Sequence, residues 1–316
     1  MSVKFGLQLW NQVYTWQEAR DAARRGEALG YDSLWTWEHA LAGIGDPHQD
    51  TLDAYTLLAA WSQVTFRATL GVLVGANTFW NPGLLAKKVT TLDHVSDGRA
   101  ILGIGAGWFE QEHAAFGVDF GSGWGDRLAW LEESVDAIRS LLDGDTVTSP
   151  EDGRYSMHEA VLLPRPVQDR LPILIGGGGE QKTLRTVARH ADIWNWVAAE
   201  DLDRMRAKHA VFERRCEEIG RDHTEIERSA FLSPVVRDTE AEALRFFRTQ
   251  MEANRLDESV LDDTDIYVTS EERMTELMLA WREIGVSHFI IQTAAPFDEE
   301  TAERFASQIR PHVEAA

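Results

Sequence analysis

The residue types best suited to acid–base chemistry stand directly after apolar runs of the sequence. His39 follows the run over residues 32–37, and a histidine placed there is able to donate a proton or a hydrogen bond to a bound ligand. The alternative is a capping or solvated loop histidine. Glu110, Glu112 and His113 form a second cluster, but their spacing matches no standard ligand motif, so the sequence predicts no metal site.

Two glycine-rich segments also follow apolar runs. Residues 103–107 (GIGAG) differ in spacing from a dinucleotide-binding fingerprint, but their glycines let a planar ligand lie close to the backbone; the alternative is a tight turn. Four glycines precede a helix predicted to begin at Glu180. Their N–H groups and the helix dipole favour a bound phosphate, and the alternative is a flexible turn. These four are Gly176, Gly177, Gly178 and Gly179.

The elements that must position these residues alternate along the chain. Apolar runs, each followed by an amphipathic helical segment, predict eight strands, over residues 3–10, 32–37, 68–75, 99–104, 172–175, 192–197, 229–236 and 286–292. Such alternation indicates a parallel sheet, and eight units favour a closed (β/α)8 TIM barrel of the α/β class over an open doubly wound sheet. We expect one domain over residues 1–316, with its site at the C-terminal ends of the strands.

Two stretches interrupt this alternation. Residues 143–170 are rich in turn-forming residues and predict a small β-hairpin insertion after the fourth helix, which is predicted over residues 127–142. Residues 256–269 are acidic and poorly patterned, which predicts a loop. Neither stretch is polar enough over a sufficient length to indicate a linker between domains.

Composition narrows the class of protein. Of the 316 residues 44% are apolar, which is ample for a large core, and the net charge of −21 disfavours nucleic acid or an anionic membrane as a partner. The single cysteine, Cys216, excludes an internal disulfide and disfavours a cysteine-based metal site. No apolar run approaches the ~20 residues of a membrane span and the N-terminal residues do not resemble a signal peptide, so we expect a cytoplasmic protein.

Several segments together resemble a known family. FGLQ (5–8), ALGYDSLWTWEH (28–39), NPGLLAKKVTTLDHVSDGRAILGIGAGWFEQEHAAFG (81–117) and LPILIGGGGEQKTLRTVARHADIWN (171–195) are similar to the luciferase-like monooxygenase superfamily. The similarity is greatest to its branch of deazaflavin (coenzyme F420)-dependent oxidoreductases. The resemblance implies a (β/α)8 barrel with an insertion region and a flavin or deazaflavin bound at the C-terminal mouth.

The resemblance also implies roles for individual residues. His39 matches the histidine that approaches the reactive edge of the cofactor ring. Val72 and Leu73 match a bulge, often with a non-proline cis peptide, that backs the ring within the strand ending at Gly75. The remaining implied contacts are Ala106 and Gly107 along the cofactor, and Gly176 to Gly179 with Glu180 at its phosphate.

One position departs from the family pattern. Sugar-phosphate dehydrogenases of this superfamily carry a glutamate proton donor directly after the GxG of the fourth strand, where this chain has Trp108. Glu110, two residues further on, is then the candidate for the general acid. A sugar phosphate is accordingly not the expected substrate.

These observations predict an F420-dependent oxidoreductase that transfers a hydride between its cofactor and a small organic molecule. The first alternative is an FMN-dependent monooxygenase that uses oxygen and needs a flavin reductase as a partner. The second, which the tryptophan at position 108 keeps open, is a non-catalytic deazaflavin-binding protein. The family also implies a homodimer.

Twelve tryptophans are an unusually high number, and seven of them fall at or just past predicted strand ends. Tryptophan at the mouth of a barrel offers a flat, apolar surface for a planar ring and for a hydrophobic or aromatic substrate. Because side chains alternate along a strand, some of the seven must point into the barrel wall. The predicted substrate pocket comprises Trp10, Trp37, Trp80, Trp108 and Trp196.

Overall fold

A computed structural model describes residues 3–197, 201–257 and 268–316. Its central sheet is built from parallel strands, named in chain order β1 Lys4–Leu9, β2 Ser33–Thr36, β3 Thr69–Val72, β4 Gly75–Ala76, β5 Ala100–Gly105, β6 Ile173–Gly176, β7 Ile193–Val197, β8 Glu227–Leu232 and β11 His288–Thr293. The order runs β3-β2-β1-β11-β8-β7-β6-β5-β4, and β3 also pairs with β5, which closes the sheet into a barrel. Since β3 and β4 are two pieces of one strand, the closed eight-stranded barrel is confirmed and the open sheet is wrong.

Helices connect successive strands. They are α1 Trp16–Ala28, α2 Ala54–Trp61, α3 Pro82–Val95, α4 Glu110–Phe116, α5 Trp124–Asp143, α6 Thr183–His190, α7 Leu202–Glu217, α8 Glu240–Ala253, α9 Glu271–Glu283, α10 Glu299–Arg304 and α11 Arg310–Ala315. The last two are joined by a π-helical segment, Phe305–Ile309. None of the helices in the described ranges is both long and apolar enough to span a membrane.

Local sequence sets several helix ends. Thr15 and Glu18 form a reciprocal capping box at the start of α1, where each side chain bonds the backbone of the other. Pro82 occupies the first turn of α3 behind the Asn81 cap, where its missing N–H costs nothing. Gly117 ends α4 with a φ of 68°, a left-handed conformation that favours glycine.

Four elements differ from the sequence prediction. The short helix α4 was not predicted, because seven residues are too few to show a periodic apolar face. The predicted strand over residues 229–236 breaks into β8 and β9 Val235–Val236, and β9 pairs with β10 Val268–Thr269. The insertion forms a single antiparallel bridge between Val147 and Ala160 rather than a full hairpin. Of the predicted acidic loop, residues 258–267 lie outside the described residues, and its last two form β10.

The core has two layers. The larger cluster lies between the barrel and its helices, while a separate cluster fills the barrel interior around Trp35, with Leu73, Ile101, Leu174, Ile193 and Ile290. Trp35 is fully buried there and donates from Nε1 to the Ser33 hydroxyl, 2.7 Å away. The barrel is therefore a packed core and not a pore, and a ligand must bind at the mouth.

Candidate functional site

His39 is held by a buried carboxylate at the C-terminal mouth of the barrel. It follows β2, and its Nδ1 lies 3.0 Å from Oε1 of Glu112. The other oxygen of Glu112 accepts from the backbone N–H of Ala40 at 2.8 Å. The side chains of His39 and Glu112 are only 8% and 2% exposed. Because a carboxylate only accepts, Nδ1 of His39 is the donor in this bond, which fixes the orientation of the ring.

The opposite edge of His39 faces a glycine. A Cβ added at Gly43 would lie 2.7 Å from Nε2 of His39, closer than real Cβ contacts occur. A larger residue at position 43 would force the imidazole to move. Glycine at position 43 therefore leaves space beside Nε2 of His39, while Glu112 of α4 holds the opposite edge of the ring.

Glu112, rather than Glu110, makes the contact with His39. Residues two apart on a helix point about 200° apart, so the two glutamates of α4 cannot share a face. Glu110 is exposed in the first turn of α4, whereas Glu112 is 1% exposed. The sequence drew attention to the Glu110–His113 cluster but gave no signal of which acid faces inward, because α4 itself was not predicted.

His113, which also lies on α4, anchors this helix through two hydrogen bonds. Its Nδ1 donates to the carbonyl of Phe109 at 2.8 Å, so its Nε2 accepts from the Thr78 hydroxyl at 2.6 Å. The ring lies between Phe79 and Phe120, with both centroids 4.6 Å away. This buried histidine ties the turn after β5 to the loop after β4. Its role is structural, and the described residues contain no group of three or more side chains arranged to hold a metal ion.

The third strand bulges between β3 and β4. The Leu73–Val74 peptide is cis, one residue beyond the Val72–Leu73 pair that the resemblance implied. Two buried polar side chains hold the bulge. Gln8 Nε2 donates to the Leu73 carbonyl at 2.9 Å, and the N–H of Ala76 donates to Oε2 of Glu38 at 3.2 Å.

Glu38 is a buried acid that the sequence analysis did not select. Its Oε1 accepts from Nε1 of Trp80 at 2.8 Å, and its side chain packs against Gly75. Burial raises the pKa of Glu38 to about 7, since removal from water disfavours the charged carboxylate. The only sequence signal was its place beside His39 at the end of β2.

The glycine run forms the loop between β6 and α6. Gly176 ends β6, and the N–H of Gly177 donates to the Asn195 carbonyl at 3.0 Å. A Cβ added at Gly178 would lie 2.6 Å from Nε1 of Trp196, so the loop and this tryptophan are in close contact. The helix begins at Thr183 and not at Glu180.

Glu180 is engaged by cations instead of lying free at the loop. Its Oε1 lies 2.7 Å from Nζ of Lys208, and this bond holds the pKa of Glu180 below its usual range. Its backbone carbonyl accepts from Nε of Arg215 at 3.1 Å. The carboxylate is thus an internal partner for basic side chains, which the sequence alone did not indicate.

The predicted pocket tryptophans fall into separate groups. Trp10 and Trp37 stack with centroids 4.4 Å apart, and His39 meets both Trp37 and Trp108 edge-on, at 5.3 and 5.4 Å. Trp108 is 54% exposed, so it offers an open surface beside His39. Trp80 is not part of this group. Its Nε1 donates a hydrogen bond to Glu38, and Nζ of Lys88 lies 4.1 Å from its ring centre. Trp196 lies against the glycine loop.

The arrangement fits a planar ring that carries a phosphate. Five buried polar atoms at the ends of β1 and β2 have no hydrogen-bond partner among the described residues: Gln8 Oε1, Trp10 Nε1, Asn11 Oδ1, Thr36 Oγ1 and Trp37 Nε1. Such atoms are costly unless a ligand or water satisfies them. Together with the aromatic rings around His39 and the neighbouring glycine loop, they mark the barrel mouth as the candidate site for such a ligand.

Comparison with known proteins agrees with this class. The sequence profile described as luciferase-like monooxygenase matches residues 1–304, and the chain belongs to that family. It is 31% identical over 180 residues to an F420-dependent glucose-6-phosphate dehydrogenase of Amycolatopsis mediterranei, covering 56% of this chain and 52% of that protein. It is 29% identical over 230 residues to an FMNH(2)-dependent dimethylsulfone monooxygenase of Pseudomonas fluorescens, covering 71% and 58%. The chain thus spans little more than half the length of these two relatives.

Solved structures share the fold over the whole chain. An F420-dependent secondary alcohol dehydrogenase in complex with an F420-acetone adduct superposes with a TM-score of 0.84 at 22% identity, covering 99% of both chains. The F420-dependent tetrahydromethanopterin reductase of Methanopyrus kandleri gives 0.80 at 18% identity, covering 99% of this chain and 100% of that one. The family thus includes both F420-dependent dehydrogenases and flavin monooxygenases.

Proposed function

We propose that this protein is an F420-dependent oxidoreductase that transfers a hydride between the deazaflavin and a hydrophobic or aromatic organic substrate. The observation that carries the proposal is the buried Glu112–His39 pair beside an aromatic wall at the barrel mouth. Among the relatives and solved structures, F420-dependent dehydrogenases recur.

Each part of the site has a distinct task in this proposal. The glycine loop, Gly176 to Gly179, holds the cofactor phosphate through its backbone amides, with the exception of the Gly177 N–H, which donates to the Asn195 carbonyl. The bulge over Val72, Leu73 and Gly75 supports the ring, held in place by Gln8 and Glu38, and Ala106 with Gly107 lines its edge. When bound, the deazaflavin supplies the hydride chemistry.

We assign proton transfer with the substrate to His39. Glu112 accepts from Nδ1 and orients the ring, so Nε2 serves as the nitrogen that gives a proton to, or takes one from, the substrate oxygen. We assign Glu110 no catalytic task, because it is exposed in the first turn of α4. The general-acid role expected of Glu110 is thus assigned to His39, and Glu112 positions its ring.

The substrate surface consists of Trp10, Trp37 and Trp108. Flat indole rings exclude water and favour an apolar or aromatic substrate over a sugar phosphate. With tryptophan at position 108, no carboxylate directly follows the GxG of β5 to receive a polar sugar. We assign no substrate contact to the other two tryptophans. Trp80 donates a hydrogen bond to Glu38, and Trp196 packs against the glycine loop.

The second candidate is an FMN-dependent monooxygenase, with a flavin reductase as partner. It is favoured by the FMNH(2)-dependent relative and by the uncharged amides of the glycine loop, which suit any phosphate. A non-catalytic deazaflavin-binding protein would need His39 only for affinity.

Titration of the purified protein with each cofactor separates these candidates. We expect the deazaflavin coenzyme to bind at least about tenfold more tightly than FMN, followed by deazaflavin fluorescence and by quenching of FMN fluorescence. Gly178→Val should weaken both cofactors, because its side chain collides with Trp196 and displaces the loop. Tight binding of FMN with none of the deazaflavin would overturn the proposal.

A further inference from the structure

Asn254 is a buried amide that joins the end of α8 to two strand ends at the barrel mouth. Asn254, directly after α8, and Gln12, after β1, are both 0% exposed. Nδ2 of Asn254 donates to the carbonyls of Gln250 and Ala295, at 2.8 and 2.6 Å. Its Oδ1 accepts from Nε2 of Gln12 at 3.2 Å. Because Ala295 follows β11, this one side chain links the residues after β1 and β11 to α8.

The same two residues hold the loop after β2. Nε2 of Gln12 donates to the carbonyl of Ile44 at 2.9 Å. Nε2 of Gln49 donates to the backbone carbonyl of Asn254, also at 2.9 Å. A Cβ added at Gly45 would collide with that carbonyl, so the loop lies directly on Asn254. Contacts on both sides of Gly45 therefore fix where this part of the loop lies.

Gly43, one residue before Ile44, is the part of this loop that borders His39. It is buried, and a Cβ at this position would lie 2.7 Å from Nε2 of His39. Because Nδ1 donates to Glu112, Nε2 is the nitrogen that presents its lone pair to a ligand. The position of Gly43 thus sets the width of the space in which Nε2 meets that ligand.

We propose that Asn254 and Gln12 are positioning residues that fix the width of the space beside Nε2 of His39, where the substrate oxygen lies. This inference rests on the proposed function and deepens it, because it names the groups that hold the proton-transfer geometry. The two residues act through the loop segment from Gly43 to Gly45. A loop held at both ends keeps the substrate oxygen within hydrogen-bond reach of Nε2, a geometry on which the rate of proton transfer depends steeply.

Modification by diethyl pyrocarbonate tests this inference without cofactor or turnover. The reagent adds an ethoxycarbonyl group to an imidazole nitrogen that carries no proton, which in His39 is Nε2. Asn254→Leu and Gln12→Met remove the hydrogen bonds at similar side-chain volume. The loop should then open more often, and His39 should react at least about fivefold faster. Peptide mass spectrometry gives the rate, with the exposed His158 as the internal reference.

A double substitution shows whether the effect passes through Gly43. Gly43→Ala alone should slow the reaction of His39 about fivefold, because its methyl group covers Nε2. When Gly43→Ala is combined with Gln12→Met, the slowing should shrink to less than about twofold, since the released loop carries the methyl group away. Two unrelated structural defects would give additive effects instead.

Val135→Ala is the control for a general loss of stability, because Val135 lies on α5 in the core and is 0% exposed. It should leave the rate at His39 unchanged. An unchanged rate in both Asn254→Leu and Gln12→Met, additive effects in the double variant, or an equal acceleration in Val135→Ala would overturn the positioning role and leave hydride transfer standing. The expected rates in a protein that transfers no hydride would overturn the proposed function and leave the hold on the loop intact.

Discussion

Replacement of Glu112 by glutamine is expected to lower the turnover number by about 100-fold, the low end of what a positioned acid–base group contributes. Glu112 accepts from His39 Nδ1 and from the Ala40 N–H through its two oxygens. A glutamine has one oxygen and one NH2, so one of these donors loses its acceptor. Either the imidazole changes tautomer or the loop after β2 shifts, and the proton at Nε2 is then misplaced.

Three comparisons keep this prediction specific. Glu112→Asp, which keeps the charge, should recover part of the turnover, and Glu110→Gln should stay within about threefold of the native rate because Glu110 is exposed. A merely structural defect would not change the protonation of the ring, so the ¹⁵N resonances of His39 provide an independent readout. A native tautomer and pH–rate profile in Glu112→Gln, or a larger loss in Glu110→Gln, would refute the assignment.

Glu38 should make the protein less stable as the pH rises. Burial holds its folded pKa at about 7, against 4.5 for a glutamate in water, so the folded state retains a proton that the unfolded chain has released. Stability from this group is fully present below pH 4.5 and is lost as the pH rises through 7. The shift corresponds to about 3 kcal/mol at most.

Glu38→Gln isolates this contribution. The amide oxygen satisfies only one of the two donors, Trp80 Nε1 and Ala76 N–H, so the variant should be about 1 kcal/mol less stable than the native protein at pH 5. By pH 8 it should equal or exceed native stability, because it carries no buried charge. Urea unfolding from pH 5 to 8 measures the difference, and Glu252→Gln, an exposed change on α8, supplies the control. Parallel stability curves for the native protein and Glu38→Gln would contradict the account.

The alternation of apolar runs and helices was enough to predict the barrel and the gathering of strand ends at one mouth. His39 and the four glycines could be placed there because each directly follows a strand, and a parallel barrel brings all such positions to one face. The periodicity of apolar residues was sufficient to predict that these residues lie at the barrel mouth.

The sequence alone could not predict which side chains contact these residues. Glu112 faces His39 only because α4 forms and turns that side inward, and Glu38 is buried by Trp80, which comes from a different loop. Glu180 matched a phosphate-loop position in the sequence, yet Lys208 from α7 binds its carboxylate. Contacts between loops depend on packing directions that a single sequence does not encode.

The central claim is hydride transfer to or from a deazaflavin, and isotopic labelling tests it most directly. The protein is incubated without oxygen with the oxidised coenzyme and a panel of secondary alcohols deuterated at the carbinol carbon, and in reverse with deuterated reduced coenzyme and the matching ketones. The account predicts that at least one apolar or aromatic member transfers one deuterium per turnover between its carbinol carbon and the deazaflavin ring. Absence of transfer across the panel, with substrate oxidation only when reduced FMN and oxygen are supplied, would contradict it.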